Sequence, residues 1–543
     1  MKRILSLLLC LATLFLAVSC GESEPLPEET TAEQTTEAPP PAQEPSVPAP
    51  TAEITDGIFY MFEGEMRELS YTVNTPEGAV GEVQWSVSDS NLARVENGSV
   101  YALREGFCEI SGGGTRTCVV RILPKDIPTL SVNTNGVAVT SKEDYVKCSV
   151  GLSSSNADFC FADAAAGIRV RGNSTSGRPK KPYRIKFDTK RNLLGLNEGS
   201  EFKSWVLLAE WFDASMLHNS TSLSLASVIL TEYTSDWRYV NLYLNGEHKG
   251  VYLLAEQSQI AKDRVDIEEA GADTTELWSG YLFEQEAGSS DPTFVLDCTK
   301  YSFKNFLGEK YSGTTQKYEL KNDNTTPEQE AFAEKYFRNV FNVIYAATYE
   351  NTYLAINENG ELVRSNFKTA EEAISAVIDV ESLVRKYIHS ELTCNWDDRS
   401  RSYFTYVDFS ENGTGLLTFA CPWDFDHAFY QYGTFKYADV DEYFAARRNM
   451  WYVMLLRHEF IRARIAEVWQ EVYADTSGFD SVLDMMLLIT RIYEDDLRVD
   501  SEMWDRTNDR ITQVASTYQW LIKRIKWMND QFTNPKFITD GKI

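Results

Sequence analysis

The sequence predicts an α+β protein with two ordered parts, a small all-β domain and a larger two-lobed domain. Short alternating strands separated by turn residues fill residues 55–125. From residue 127 to residue 535, a strand-rich half precedes a helix-rich half, and such segregation is typical of an α+β fold. The 543 residues exceed the size of one ordinary domain, which agrees with this division.

Residues 1–20 resemble an export signal and are not expected to belong to the fold. Lys2 and Arg3 precede an apolar run that is too short to serve as a stable membrane anchor. The run ends in L-A-V-S-C, which resembles the lipid-attachment motif of bacterial lipoproteins. The resemblance implies an exported protein, held on the extracytoplasmic face of the cell membrane only by lipid on Cys20. An ordinary secretory signal with an incidental cysteine is the alternative.

Residues 21–54 are predicted to be a disordered linker, because they are rich in Pro, Glu and Thr and nearly free of large apolar side chains. In the strands that follow, Val83, Trp85 and Val87 share one face. The W-S-V-S-D run and the later G-S-V-Y-A strand resemble a bacterial immunoglobulin-like domain of the BIG2 type. The resemblance implies a spacer or adhesive module with Trp85 in its core.

The formal net charge of −28 restricts the partners that the chain can bind. It argues against nucleic acid, because a polyanion would be repelled unless a basic patch compensated. It would suit a basic protein partner, although many acidic surfaces serve solubility alone.

Seven of the nine cysteines lie after residue 20. Export would permit disulfides, and the pairs Cys108/Cys118 and Cys148/Cys160 each flank a predicted hairpin. An odd number leaves at least one thiol free, and no cysteine has the spacing of a zinc site. Disulfides and buried thiols therefore both stay open.

Three segments of the larger domain contain structural elements that a nucleotide site could use. Residues 167–188 predict a strand, a Gly/Ser-rich turn, a basic patch and a second strand, and the turn's backbone N–H groups could cradle phosphates. Residues 192–226 place an apolar strand before Asp213, where a helix is expected to begin. Residues 239–257 predict a hairpin with an Asn-Gly turn.

A fourth segment, residues 389–430, contains two acidic motifs. A helix is expected to end at N-W-D, two strands follow, and the second strand ends at W-D-F-D, which places Asp397 and Asp424 27 residues apart. Both lie at equivalent ends of the predicted hairpin. Phosphoryl transfer needs such a pair, because one carboxylate orients the acceptor hydroxyl while another holds Mg²⁺ against the phosphates. Acidic residues that merely cap loop ends are the alternative.

Five motifs from these segments, in this order, resemble the CotH kinase family, named after a spore-coat protein kinase with a divergent protein-kinase fold. They are R-G-N-S before K-K-P-Y-R-I-K-F, L-L-G before W-V-L-L-A, Y-L-N-G before G-V-Y-L-L-A-E, N-W-D, and W-D-F-D. The resemblance extends over about residues 127–480. It implies a two-lobed, protein-kinase-like domain that uses ATP with Mg²⁺ or Mn²⁺.

By matching position, the resemblance also implies roles for individual residues. Asp397 corresponds to the catalytic aspartate, which positions the substrate hydroxyl or accepts its proton. Asp424 corresponds to the metal-binding aspartate, with Asp426 as a candidate second ligand. The nucleotide-binding candidates are Lys186 for the phosphates, Arg171 as a weaker second, and Glu256 with Gln257 at a hinge beside the adenine.

The sequence departs from the family pattern in three places. Ser402 stands where the family has an asparagine that binds the second magnesium ion, so this candidate ligand is weaker unless Asp398 substitutes for it. The family usually has an A-F-G run after W-D-F-D, and in this chain Tyr430 replaces the glycine of that run. No obvious glutamate follows Asp213 to pair with Lys186, as an ordinary active kinase would require.

The leading functional prediction is an exported, lipid-anchored atypical protein kinase that phosphorylates Ser or Thr on another exported or surface protein, with a basic, Ser/Thr-rich protein as one candidate substrate. The alternative is an inactive CotH-like pseudokinase that acts as a surface binding or scaffold protein. Ser402 and the scarcity of ATP outside the cell favour this alternative. Paired carboxylates would also suit a glycoside hydrolase or lectin, but the order of the motifs does not.

Overall fold

The computed structural model describes residues 48–271, 274–429, 439–474, 477–506 and 510–540. The predicted signal, Cys20 and the linker up to residue 47 lie outside these ranges. The chain is mixed α+β, with 31% helix and 29% strand, as the sequence predicts. No helix within the described ranges is both long enough and apolar enough to cross a membrane.

The N-terminal region consists of three small β-sheets. Their strand orders are β2-β9-β8-β5, β3-β7-β6 and β1-β4. The strands are β1 Thr51–Ile54, β2 Ile58–Phe62, β3 Met66–Glu68, β4 Tyr71–Asn74, β5 Ser86–Val87, β6 Ala93–Glu96, β7 Ser99–Ala102, β8 Gly106–Ser111 and β9 Thr117–Leu123.

Two sequence expectations for this region need correction. Strand β1 lies inside the predicted linker, because Ala52 and Ile54 alternate with polar residues and are fully buried against the sheets. Trp85 is half-buried and meets Tyr71 edge-on at 4.9 Å, so it packs at the margin of the core. The reason is that Trp85 precedes the short edge strand β5, which has a neighbouring strand on one side only.

The larger domain begins with a closed seven-stranded barrel, in the order β10-β11-β12-β13-β14-β16-β15. The predicted hairpin is present, since Asn245 and Gly246 turn β15 into β16 with φ angles of 53° and 81°. The elements are β10 Thr129–Asn133, β11 Val146–Ser153, β12 Phe161–Val170, β13 Tyr183–Arg191, β14 Phe202–Leu208, α1 His218–Ile229, β15 Trp237–Leu244 and β16 Glu247–Glu256.

The second half contains a five-stranded sheet, in the order β18-β21-β17-β24-β25, and ten helices in the described ranges. Its strands are β17 Tyr281–Gln285, β18 Phe294–Asp297, β19 Ser302–Lys304, β20 Lys310–Ser312, β21 Thr315–Leu320, β22 Leu354–Ile356, β23 Leu362–Arg364, β24 Tyr403–Val407 and β25 Thr418–Phe419. Its helices are α2 Pro327–Tyr349, α3 Ala370–Ser375, α4 Val380–Thr393, α5 Ala445–Arg448, α6 Met450–Leu455, α7 Glu459–Ala474, α8 Ser477–Ile492, α9 Glu494–Met503, α10 Arg510–Phe532 and α11 Pro535–Thr539.

The N-terminal sheets share a hydrophobic core with the larger domain. In β2, Phe59 and Met61 face the N-terminal core, whereas Tyr60 and Phe62 join the core of the larger domain. The Tyr60 hydroxyl lies 2.7 Å from the hydroxyl of Ser224 on α1. The N-terminal region is therefore packed against the helices.

All seven cysteines in the described ranges are free thiols. Six are buried, and Cys160 is exposed. The sequence left disulfides and thiols open, and the structure favours thiols.

Candidate active site

The two acidic motifs meet in one cleft. Its walls are the turn after β12 and the adjacent ends of β17, β24 and the W-D-F-D segment. Five carboxylate side chains line it: Glu284, Glu286, Asp397, Asp424 and Asp426. The other lining residues include Arg171, Gly172, Asn173, Ser174, Thr175, Phe212, Arg401, Ser402, Trp423 and His427.

The end of α4 delivers Asp397 to the cleft. Cys394 ends this helix in a left-handed conformation with φ 47°, which turns the chain outward. The Asn395 amide then donates to the Asp398 carboxylate at 3.1 Å and to the Asp424 backbone carbonyl at 3.0 Å. Asp397 begins a 3₁₀ turn, Asp397–Arg399. Asn395 therefore ties the Asp397 loop to the second acidic motif.

The W-D-F-D segment is held from the opposite side by α1. The Asn219 amide donates to the Asp426 carboxylate at 2.6 Å, and its carbonyl accepts the backbone N–H of Phe425 at 2.8 Å. Asp424 adopts a left-handed backbone with φ 61°, and the Ser402 hydroxyl donates to its carboxylate at 3.4 Å. Strained backbone of this kind is typical of functional sites.

The carboxylates disfavour one another's ionised forms. Burial and, next, the neighbouring Asp424 together raise the pKa of Asp397 to about 6. Burial and Asp424 likewise raise the pKa of Asp426 to about 7. A divalent cation between these side chains would offset this repulsion.

Oxygen donors of this kind fit Mg²⁺ or Mn²⁺. Mg²⁺ is commonly held by one or two carboxylates and completes its shell with water and substrate phosphates. Asp424 and Asp426 supply two carboxylates, and Ser402 adds a hydroxyl beside them. Among the described residues, no group of three or more His, Cys, Asp or Glu side chains could hold a metal ion by itself. The remaining ligands would therefore have to come from substrate and solvent.

Arg171 supplies positive charge to the cleft from a half-buried position. Its guanidinium lies 5.3 Å from the Trp423 ring centroid. Burial lowers its pKa, while Asp424, Glu284 and Asp426 partly offset the effect. An arginine keeps its charge even so and can pair with phosphate oxygens in a forked geometry.

Lys186 does not line the cleft. It is exposed on β13, and the β12–β13 register pairs it with Gly167. Gly167 is four residues before Arg171, a separation of about 13 Å along a strand. The sequence predicts the phosphate-binding cation at Lys186, but Arg171, in the turn after β12, lines the cleft instead.

Comparison with known proteins identifies the family. Residues 168–528 match the CotH kinase protein family. The chain belongs to the CotH kinase family. The matched range includes every residue that lines the cleft, whereas the N-terminal sheets lie outside it. Family membership implies a protein-kinase-like activity, and no curated protein matches the chain.

In this CotH-family chain, the predicted hinge residues lie outside the cleft. The Glu256 carboxylate is fully buried and accepts hydrogen bonds from Arg264 at 3.1 Å and Asn197 at 2.9 Å. The Gln257 amide donates to the neighbouring Ser258 carbonyl at 3.5 Å. The Glu256 side chain therefore stabilises the end of β16 and is not free to contact adenine, and a role of the backbone of Glu256 and Gln257 beside adenine stays a prediction.

The family departures can also be located. Ser402 lies in the cleft with φ 49°, beside Asp424. Asp398 does not substitute for the missing asparagine, because its carboxylate is buried beside Asn395 and close to Lys386. Tyr430 lies outside the described residues.

Sequence reasoning missed several residues of this CotH domain that line the cleft or are linked to it by hydrogen bonds. Glu284 lies on β17 and Glu286 directly follows it, and β17 is brought to the cleft by its pairing with β24. Glu210 is buried, accepts a hydrogen bond from Asn219 at 3.0 Å, and has a pKa raised well above its usual value by burial and Asp426. The sequence feature that could have indicated Glu210 is its position directly after the W-V-L-L-A motif.

Proposed function

We propose that the chain is a protein kinase that transfers the γ-phosphoryl group of ATP to a Ser or Thr hydroxyl of another protein. The observation that carries the proposal is the meeting of Asp397, Asp424 and Arg171 in one cleft. We further propose that the protein is exported and lipid-anchored at Cys20, on the strength of its N-terminal motif. The fold proposed for the matched region is a divergent two-lobed kinase domain, with the barrel as one lobe. The N-terminal sheets are proposed to be immunoglobulin-like.

Each cleft group has a proposed part in the transfer. The Asp397 carboxylate orients the acceptor hydroxyl and takes its proton as the hydroxyl oxygen attacks the γ-phosphorus. The bond from this phosphorus to the bridging oxygen breaks, and ADP leaves with that oxygen. The Arg171 guanidinium and the backbone N–H groups of residues 172–175 bind phosphate oxygens. Gly172 suits this turn because its φ is 83° and a Cβ there would collide with the Thr175 hydroxyl. Asp424 and Asp426, beside Ser402, would hold Mg²⁺ or Mn²⁺, which would neutralise charge at the phosphates as a Lewis acid.

A pseudokinase scaffold is the second candidate function. It is favoured by the serine at position 402 and by the absence of a lysine among the described residues that line the cleft. In that case the cleft would bind a ligand without transferring phosphate.

The kinase proposal predicts metal-dependent transfer that the Asp424→Asn substitution removes. The full chain is incubated with γ-labelled ATP and casein under Mg²⁺, Mn²⁺ or EDTA, and label on protein is measured. Asn tolerates the left-handed backbone at position 424, so the variant should fold but lose at least about 100-fold in rate with its metal ligand. Asp188→Asn, an exposed change on β13, is the matched control. Nucleotide binding without transfer under either metal would favour the scaffold, and transfer that survives EDTA would contradict the proposed metal site.

Ser402→Asn is predicted to raise the affinity of the active site for Mg²⁺ or Mn²⁺. Asn adopts φ near 49° more readily than Ser and brings a carbonyl oxygen towards Asp424. The metal concentration at half-maximal activity should fall by roughly tenfold, the scale on which residues around a metal centre act. A Mn²⁺ titration followed by label transfer measures this, and superimposable titrations would show that Ser402 does not limit metal binding.

A further inference from the structure

The β19–β20 hairpin presents an unbalanced positive charge. Lys304 and Lys310 are direct cross-strand partners, and both are exposed. Like charges placed opposite each other in an antiparallel ladder destabilise it. Within the described part of the chain, neither lysine forms an ion pair. An anionic ligand would relieve this repulsion.

The groove beside the hairpin lacks negative charge, although the chain carries −28 overall. Both lysines line it, together with tyrosines and hydroxyl side chains, and its described lining includes no carboxylate. Tyr349 and Tyr345 fix its wall, since their hydroxyls donate to the backbone carbonyls of Lys304 at 2.9 Å and Ser302 at 3.4 Å. The charged side chains of the described lining are therefore both cationic, and the Asp297 carboxylate accepts hydrogen bonds from the lining residue Thr299.

This groove adjoins the proposed catalytic turn. The Arg447 guanidinium on α5 donates to both oxygens of the Glu309 carboxylate at 3.0 Å, which holds the hairpin turn against that helix. Helix α5 in turn contacts the 3₁₀ turn Asp397–Arg399. Arg399 is exposed and lies 4.1 Å from the Trp396 ring centroid. Burial raises the pKa of the Tyr311 hydroxyl to about 12, and the positive charge of Arg399 opposes this rise. Helix α5 thus connects the hairpin that carries Lys304 and Lys310 to the turn that carries Arg399 and Asp397. These three exposed cations are called the cationic strip.

We propose that the cationic strip binds an acidic segment of the protein substrate, so that the phosphorylated hydroxyl lies close in sequence to Asp or Glu. The inference rests on the proposed kinase function and names the substrate class of that site. It differs from the basic partner that the net charge suggests, because substrate choice depends on the charges beside the catalytic turn. A strip of three cations suits a short acidic peptide, whereas a nucleic acid or a membrane needs a more extended basic face.

Peptide binding tests the inference without requiring catalysis. Fluorescein-labelled peptides with one central Ser, flanked by Glu, Gln or Lys, are titrated with the full chain and followed by anisotropy. The Glu peptide should bind most tightly and weaken with added salt. In the Lys304→Ala/Lys310→Ala/Arg399→Ala chain its affinity should fall about tenfold, the combined scale of three exposed ion pairs. The control is Lys190→Ala/Lys203→Ala/Arg364→Ala, which removes three exposed cations elsewhere.

Thermal melting of both triple variants checks that they fold. Equal affinity of the native and strip-variant chains for the Glu peptide, or a preference for the Lys peptide, would overturn the inference. So would strip-dependent binding of vesicles of anionic phospholipid without binding of the Glu peptide. Strip-dependent peptide binding without any label transfer would support the docking site and contradict the kinase proposal, so the two failures are distinguishable.

Discussion

A chain carrying Asp397→Asn is expected to transfer phosphate at least about 100-fold more slowly than the native chain, while still binding nucleotide and metal. The amide keeps the size of the carboxylate but cannot accept the proton of the acceptor hydroxyl. Asp424, Asp426 and Arg171 are unchanged, so the groups proposed to hold metal and phosphate remain.

Two measurements separate these effects. Single-turnover transfer from labelled ATP reports the chemical step, and the rise in melting temperature on adding ATP with Mn²⁺ reports binding. Asp188→Asn again serves as the exposed control. Native transfer rates in Asp397→Asn would remove this residue from the chemistry, whereas loss of the nucleotide-induced thermal shift would assign it to ligand binding.

The Arg524→Met substitution is expected to lower the free energy of unfolding by about 3–5 kcal/mol, because it leaves a buried carboxylate unpaired. Arg524 and Glu391 are both fully buried, and their side chains meet at 2.6 Å. Arg524 also donates to the backbone carbonyls of Val440 at 2.9 Å and Glu442 at 2.7 Å. The pair thus ties α10 to α4 and to the chain just before α5.

Urea unfolding followed by tryptophan fluorescence measures this loss. Arg498→Met is the matched control, because the ion pairs of Arg498 with Asp495 and Glu502 on α9 are exposed and their removal should leave the midpoint unchanged. The double change Glu391→Met/Arg524→Leu should recover much of the lost stability, since it removes both charges together. A double variant as unstable as Arg524→Met would show that the loss arises from packing and not from the unpaired charge.

Local signals predicted the acidic pair well. The helix that ends near Asp397 and the hairpin that leads to Asp424 are both readable from short motifs, and β24 does pair with β25. The prediction for Lys186 failed because the register of β12 against β13 depends on how the long turn between them folds. Composition and periodicity do not specify that geometry.

Long-range pairing explains the other differences. No sequence pattern indicates that the Glu256 carboxylate is paired. Its partner Arg264 lies in the following loop, where no spacing rule predicts an ion pair. Glu284 and Glu286 enter the cleft through a sheet contact with residues more than a hundred positions away. Each of these depends on tertiary packing, which a single sequence does not reveal.

The alternation in β2 also bears on where an autonomous folding unit can begin. Tyr60 and Phe62 complete the helical core, and the Tyr493 hydroxyl beyond α8 donates to the Pro124 carbonyl at 2.6 Å. A chain trimmed to the family boundaries at 168 and 528 would lose these partners, and apolar side chains of its helices would become exposed to solvent. The smallest self-sufficient piece therefore starts close to Thr51, well upstream of the segment that defines the family.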